Sequence, residues 1–560
     1  MHPRHRIAPT LIVISAFLVL AVDWVNQTSH AQGQQVQVTA ADPAAAEQGT
    51  INLNVKVTGK GFKTGAHAQW FVTGTTNPGG VTVNSTTFVS STELNANITV
   101  ADAATIANFD IQVLNSDGRG GKGSELFAVT QKGGSPNLCT VQPLPAGISL
   151  VNSLNYVTGS GAAAYGPALG TTVRARQMTL NGVQVLVVAA GTPAATGKLE
   201  IFLINPVTGQ LLDNTIIGSG TVVQPHITIN NGSGNRSLAV GDVNGDGIPD
   251  FAAGSTTTGS ANGIVGSIAN GVLGYQSYAL VPSGTISVSG WGVAVGDLSG
   301  TGSDVIALYT VLSSVGQVSL FSFNGSGFTN TQNISSPMGS KKNVDDFGHG
   351  ITIANVTGST AKDLIVGAPG STVNGSSAAG VTYIFPGPVT QSNYLTLTTG
   401  VKSDWLGQKV AAGTVNADTI NDVLATTNSA ARIYYGLVSN GQASSLLLSP
   451  ASGLGGGWGT TEPDVNDING DALADILIGA PNAGSGSTCG GVAYLYLSSL
   501  GSPAASRLML STPVQDSQSS YVFGWSVAFA SGTRLFLIGD HGANVGSTSP
   551  GGQVYVYKLN

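Results

Sequence analysis

The sequence predicts an all-β protein: a β-sandwich followed by a long array of short-stranded repeats. Three observations carry this. Charged residues make up only 9% of the 560-residue chain, against roughly 25% in an average soluble protein, while glycine occurs 78 times. That composition suits short strands joined by Gly, Ser and Asn turns; helices would call for Glu, Lys, Leu and Ala in periodic stripes. Apolar and polar residues alternate over many short segments, as half-buried strands require. Finally, one pattern returns at a fixed interval through the C-terminal two-thirds of the chain.

The N-terminus reads as a targeting segment. Arg4 and Arg6 precede an uncharged, mostly apolar run from Ile7 to Val22, and Ser29-His30-Ala31 offers small residues for a cleavage site. Residues 1–31 are therefore expected to be a signal peptide cut after Ala31. The alternative is an uncleaved anchor, but the run is shorter than the roughly 20 residues that span a bilayer comfortably. The rest of the chain is expected outside the cell or on its surface, with no membrane span. The net charge of −7 and the scattered Lys and Arg give no basic surface for a nucleic acid. A monomer is expected.

Residues 36–130 alternate apolar and polar, as in Ile51-Asn52-Leu53-Asn54-Val55-Lys56-Val57 and Phe109-Asp110-Ile111-Gln112-Val113. Their strands fit a β-sandwich. Thr58-Gly59-Lys60-Gly61-Phe62, Val89 to Leu94 and Val113 to Gly118 together resemble an IPT/TIG-type immunoglobulin-like domain, which implies a spacer or binding module. His67 and Trp70 read as ordinary surface or core residues. Residues 131–147, with Lys132-Gly133-Gly134-Ser135-Pro136, have a linker composition.

From residue 148 to 560 the sequence repeats. Five segments begin with a bulky residue and Gly: Trp291-Gly292, Phe347-Gly348, Leu406-Gly407, Trp458-Gly459 and Phe523-Gly524. A strand, a polar loop and a second strand follow, the last ending in Gly-Ala-Pro at 367–369 and 479–481. The polar loops start at 242, 297, 355, 414 and 467, a spacing that suits the four-stranded blade of a β-propeller. Two further units, Val173 to about Gly220 and Phe523 to the C-terminus, keep the strands without the loop, which makes seven. The last unit ends at Asn560 without a fourth strand, and an open edge there would be a pairing hazard. Either Ile148–Val151 or Leu154–Val157 is expected to complete it and close the ring. Cys139 lies just upstream and Cys489 in the sixth unit. In an oxidising compartment a Cys139–Cys489 disulfide is expected; the alternative is two unrelated buried thiols.

Two loops carry metal chemistry. Asp242-Val243-Asn244-Gly245-Asp246-Gly247-Ile248-Pro249-Asp250 and Asp467-Ile468-Asn469-Gly470-Asp471-Ala472-Leu473-Ala474-Asp475 each place side-chain oxygens at positions 1, 3, 5 and 9. Calcium takes six to eight oxygens, and a backbone carbonyl from Ile248 or Leu473 would extend the set. An EF-hand is rejected, because position 12 is Ala253 or Ile478 rather than Glu. Plain Asn-Gly turns are the alternative, but turns alone do not call for three carboxylates so close together. Calcium is expected at both loops. Loops 297–304, 355–363 and 414–422 keep the last Asp and lose charge earlier, so hydrogen-bonded turns without metal are expected there.

The aromatic-Gly start, the Asp/Asn loop and the Gly-Ala-Pro end resemble FG-GAP repeats, as in the β-propeller of integrin α subunits. The resemblance covers roughly residues 150–560. It implies a seven-bladed β-propeller with calcium loops between the two inner strands of a blade on one face, and ligands on the other. It implies metal positions at Asp242, Asn244, Asp246, Ile248 and Asp250, and at Asp467, Asn469, Asp471, Leu473 and Asp475.

No His-x-x-x-His pair, Gly-x-Ser-x-Gly elbow or phosphate loop occurs. Asp345-Asp346 and Asp540-His541 are candidates for the propeller mouth. The expected function is therefore a secreted, calcium-stabilised binding or adhesion protein for an extracellular protein or polysaccharide, not an enzyme. The alternatives are a secreted carbohydrate-active hydrolase or lyase, whose acids come from distant blades, and a structural cell-surface protein.

Overall fold

Period-two alternation builds the N-terminal unit as two sheets facing one core. In the computed structural model one sheet orders the strands Gln37–Asp42, Leu53–Lys60, Glu93–Val100 and Val81–Ser90, and the other Ala45–Glu47, Gly120–Thr130, Ala107–Leu114 and His67–Val72. Val55 and Val57 point inward while Asn54 and Lys56 point out, as successive residues of a strand must. The shared core holds Trp70, Leu94, Ile98, Phe109, Ile111 and Phe127. Trp70 is thus a core residue, set edge-on to Phe127 at 6.0 Å.

The structure describes residues 35–50, 53–101, 103–130, 142–155, 169–192, 197–212, 216–217, 221–222, 226–230, 235–255, 261–270, 272–283, 286–312, 315–338, 345–436, 445–448, 450, 456–483, 490–499, 502–513, 522–543 and 551–560. The expected signal peptide, Cys139 and Cys489 lie outside them. Every regular element is a strand among the described residues, and no helix is long and apolar enough to cross a membrane. Two compact units divide the chain between Val129 and Thr130.

The second unit contains seven four-stranded antiparallel sheets, numbered one to seven here. Their first strands are Thr172–Leu180, Asn235–Gly241, Ile286–Gly296, Ile351–Ala354, Val410–Gly413, Asp464–Asn466 and Ser526–Phe529. Each first strand contacts the next in order, and the seventh contacts the first. Seven apolar clusters lie between consecutive sheets around this cycle. Because each sheet is covered on both faces, its second strand is apolar without interruption. In Asp475–Ala480, Ile476 and Ile478 face sheet five while Leu477 faces sheet seven.

Sheet seven is completed from the other end of the unit. Ile148–Leu154 pairs with Gln553–Leu559, with Ile148 opposite Leu559 and Leu154 opposite Val554. The first of the two candidate segments therefore supplies the closing strand. Sheet one extends further than the sequence suggested: its fourth strand is His226–Asn230, paired with Lys198–Ile204. The intervening Ile216–Ile217 and Thr221–Val222 pair only with each other.

The two marks of the repeat turn out to be two sides of one contact. A Cβ on Gly367 would stand 1.9 Å from the carbonyl oxygen of Gly407, and one on Gly479 would stand 1.8 Å from that of Gly524. The glycine of Gly-Ala-Pro in one sheet thus admits the backbone of the bulky-Gly turn in the next. The bulky partners Phe347, Leu406, Trp458 and Phe523 are fully buried in the clusters between sheets.

Candidate functional site: inter-strand loops and an axial channel

All five polar loops join the first and second strands of their sheets. Sheet one has at that place a two-residue Asn181-Gly182 turn with φ of 50° and 80°, the left-handed pair that a tight hairpin needs. In loop 242–250 the Asp242 carboxylate accepts N–H bonds from Gly245, Asp246 and Gly247 at 2.7–3.1 Å. The Asp246 carboxylate accepts from the Asn244 amide and from Ile248 N–H. Loop 467–475 repeats this: Asp467 accepts from Gly470 and Ala472, and Asp471 from Asn469 and Leu473. Ala472 takes a φ of 68° where Gly247 has 80°, so the same backbone is kept although alanine is strained there.

The last Asp of the loop has a separate task. Asp250 accepts from Val243 N–H and from Gly266 N–H on the third strand. Asp475 does the same with Ile468 and Ser498, Asp363 with Val356 and Gly387, and Asp422 with Val415 and Gly436. Each is almost fully buried. This aspartate ties the loop to the third strand, or to the residues just after it, in four sheets, including sheet four, whose loop 355–363 has lost its other carboxylates. Loop 297–304 is a hydrogen-bonded turn. Asp297 accepts from Ser299, Gly300, Thr301 and Gly302, and Gly300 and Gly302 have φ of 73° and 86°. Its backbone follows the two charged loops, while the shortened spacing sends Asp304 to Asp242 N–H of sheet two.

The donor sets of 242–250 and 467–475 are all oxygen, which suits a hard divalent cation. Burial pushes the carboxyls of Asp250 and Asp475 up to about 7, and the neighbouring aspartates add to it. A cation would relieve that crowding. As placed, the loop carboxylates engage backbone N–H groups, and no three His, Cys, Asp or Glu side chains among the described residues gather as metal ligands.

A second constellation lies on the axis. A channel of about 340 Å³ is lined by residues of the first strands, or their starts, from all seven sheets. At its wall Arg174 Nη2 meets Glu462 Oε2 at 2.6 Å, and Lys409 Nζ stands 3.6 Å from Glu462 Oε1. Lys409 also donates to the carbonyl of Trp291 at 3.0 Å, and the Trp291 indole stacks on His349 at 4.5 Å. Asp464, two residues after Glu462, borders the same channel. Burial raises its carboxyl above the usual carboxylate range, while Arg174 and the N–H groups of Phe529 and Val465 pull the other way.

These axial residues carry no linear motif, since they come from sheets one, five and six. A weak signal was present: Lys409 stands where sheets four and seven have Gly350 and Ser526, by their hydrogen bonds to the second strand. Of the residues singled out for the mouth, Asp345 takes a bond from the Ser336 hydroxyl and is mostly buried. Asp346 has a left-handed φ of 52°, and burial followed by Asp345 raises its carboxyl. Asp540 is wholly buried.

Residues 195–253 match the family model of the FG-GAP-like repeat. The match runs from the third strand of sheet one through the loop 242–250 into the second strand of sheet two. No curated protein sequence matches the chain. Among solved structures, the exotype rhamnogalacturonan lyase YesX is similar with a TM-score of 0.33 and 10% identity, over 93% of this chain and 90% of that one. The rhamnogalacturonan lyase YesW follows with a TM-score of 0.27 and 11% identity, over 86% and 90%. The Bacillus licheniformis rhamnogalacturonan lyase PL11 has a TM-score of 0.25 and 12% identity, over 86% and 89%. At these scores no residue of this chain is assigned a role. The expectation that the chain is not an enzyme is nonetheless corrected, because the charged residues of the channel come from different sheets. That expectation rested on missing linear motifs, and a site assembled from separate sheets leaves none.

Proposed function

We propose that the chain is a secreted carbohydrate-active enzyme, a hydrolase or lyase, built on a seven-bladed β-propeller of the integrin-α (FG-GAP) type behind an Ig-like, IPT/TIG-like β-sandwich. The observation that carries the catalytic reading is the pair of channel carboxylates. Glu462 is ion-paired to Arg174 and Lys409, whereas Asp464 is desolvated beside them. Two carboxyls in unlike environments are what general acid–base work on a glycosidic linkage requires. Glu462 is suited to take a proton, Asp464 to give one, and the two cations to hold developing negative charge. The channel volume of about 340 Å³ falls within the roughly 300–1,000 Å³ of small-ligand sites.

The cyclic order of first-strand contacts and the seven clusters between sheets support the propeller reading. Calcium at Asp242, Asn244, Asp246, Ile248 and Asp250, and at Asp467, Asn469, Asp471, Leu473 and Asp475, would stiffen sheets two and six. The test is turnover on a panel of plant and bacterial polysaccharides, read as reducing ends and as ultraviolet absorbance of unsaturated products. The wild type is expected to cleave at least one. Glu462→Gln and Asp464→Asn should each lower the rate by about 10²–10⁴, the usual worth of a general acid or base, at unchanged melting temperature. No turnover across the panel, or full rate in both variants, overturns the reading.

A further inference from the structure

The first strands converge on the axis, and their last residues show how closely. Gly241, Gly296, Ala354, Gly413 and Asn466 each end a first strand at its inter-strand loop. Arg176 and Ala530 stand level with them. They lie four residues past Thr172 and Ser526, which pair with Gly191 and Gly539, as Gly241 lies four past Ser237 opposite Gly254. A Cβ on Gly241 would stand 2.1 Å from Val295 Cγ1, and one on Gly413 2.6 Å from Val465 Cγ1. Five sheets accordingly put glycine or alanine at this level. Sheets one and six put Arg176 and Asn466 there. Of these seven residues only Arg176 and Asn466 line the channel, so it is their long side chains that reach it.

Both are half-buried, and neither side chain has a hydrogen-bond or ion-pair partner among the described residues. The other cations of the wall are engaged. Arg174 is held by Glu462, and Lys409 by Glu462 and the carbonyl of Trp291. Arg174, Arg176 and Lys409 face only Glu462 and Asp464 across the cavity, a positive excess in a chain of net charge −7. An uncommitted guanidinium where the fold calls for glycine or alanine points to an anion that enters the channel.

We propose that Arg176 and Asn466 form a subsite for an anionic substituent of a polysaccharide, a carboxylate or a sulfate ester. The planar guanidinium offers two parallel N–H donors that match such a group, and the Asn466 amide offers further ones. Strand rise sets Arg176 about 7 Å along the channel from Arg174, so the anion is held beside the Glu462 and Asp464 pair rather than by it. Such a subsite rests on the carbohydrate reading and narrows it to acidic polysaccharides.

The test is binding rather than turnover. The probes are galacturonate oligomers against their methyl esters, and sulfated against neutral galactan oligomers, in titration calorimetry with the full chain at one fixed calcium concentration. The wild type should prefer the charged member of at least one pair by about tenfold or more, and the pair concerned tells carboxylate from sulfate. Arg176→Gln, which breaks no bond within the fold, should melt as wild type and lose that preference. Arg176→Lys should recover part of it, because charge returns without the fork. If Arg176→Gln melts lower, Arg176→Ala, the residue of sheets four and seven, replaces it. A preference that Arg176→Gln abolishes, in a wild type that turns over no polysaccharide, keeps the subsite and removes the catalytic reading. Equal affinity of the wild type within both pairs, no binding of any probe, or an unchanged preference in Arg176→Gln overturns the subsite, and turnover of a neutral polysaccharide would then leave the catalytic reading standing.

Discussion

Asp540 and His541 are neighbours whose ionisation is displaced in opposite directions, so they nearly cancel in the pH dependence of stability. Burial raises Asp540 from its ordinary 3.8 to about 7, against the pull of the Val522 and Gly542 N–H groups. The folded chain then keeps a proton that the unfolded chain gives up. Its contribution is full below about pH 4 and is lost as pH rises toward 7, by about 4 kcal/mol at about 1.4 kcal/mol per unit. Burial lowers His541 from 6.5 to about 4. Now the unfolded chain takes a proton that the folded chain refuses, so stability rises between about pH 4 and 6.5, by about 3 kcal/mol. Single substitutions separate the two. Asp540→Ala should gain about 4 kcal/mol on wild type between pH 4 and 7, offset at every pH by two lost hydrogen bonds of about 1 kcal/mol each. His541→Gln should gain about 3 kcal/mol on wild type at pH 4 and nothing above about 7. Urea midpoints measured across this range read both differences, and subtraction of wild type cancels the other raised carboxyls, Asp250, Asp422 and Asp475. Difference curves that are both flat, or that slope the same way, refute the argument.

The contact behind the repeat predicts that Gly367→Ala costs about 1–3 kcal/mol by overpacking, because a backbone carbonyl 1.9 Å away cannot rotate aside. Gly274→Ala, with nothing within 4 Å, should change stability by under about 0.5 kcal/mol; equal costs in urea denaturation would remove the close-approach account. Ring closure predicts that Leu154→Ala, at 1% exposure between sheets seven and one, costs about 2–5 kcal/mol. Leu150→Ala, 37% exposed on the same strand, should cost under about 1 kcal/mol. If the two charged loops hold calcium, EDTA lowers the melting midpoint, and Asp242→Asn with Asp467→Asn abolishes the response; each site occupied at 100 times its Kd contributes about 2.7 kcal/mol. An unchanged midpoint on chelation ends the calcium reading.

The features legible in the sequence were those that one strand or one turn must satisfy by itself. Alternation in Leu53–Lys60 marked a half-buried strand, and the unbroken run Asp475–Ala480 marked one covered on both sides. The bulky-Gly starts were legible as a repeat, but their cause was not: Gly407 and Gly367 lie 40 residues apart in sequence and meet only when two sheets stack. The same limit governs the site. Loop 242–250 could be read because its oxygens follow one another along the chain. Reading it by side chain alone left out the two backbone N–H groups that Asp250 engages, one of them on a later strand. It also separated loop 297–304 from its backbone siblings, since φ is not written in the ligand spacing. Arg174, Lys409 and Glu462 are brought together from three sheets, and a motif search sees each as a lone charge. In a chain with so few charges, what those three share is position: each stands at the start of a first strand, where the ring brings all seven sheets to one axis. For a repeat protein of this kind, the productive search is down one repeat position across all units rather than along the chain. At the residue after the close approach, that search lines up Thr192, Ala368, Thr427, Ala480 and Asp540, and among these five Asp540 alone carries a carboxyl.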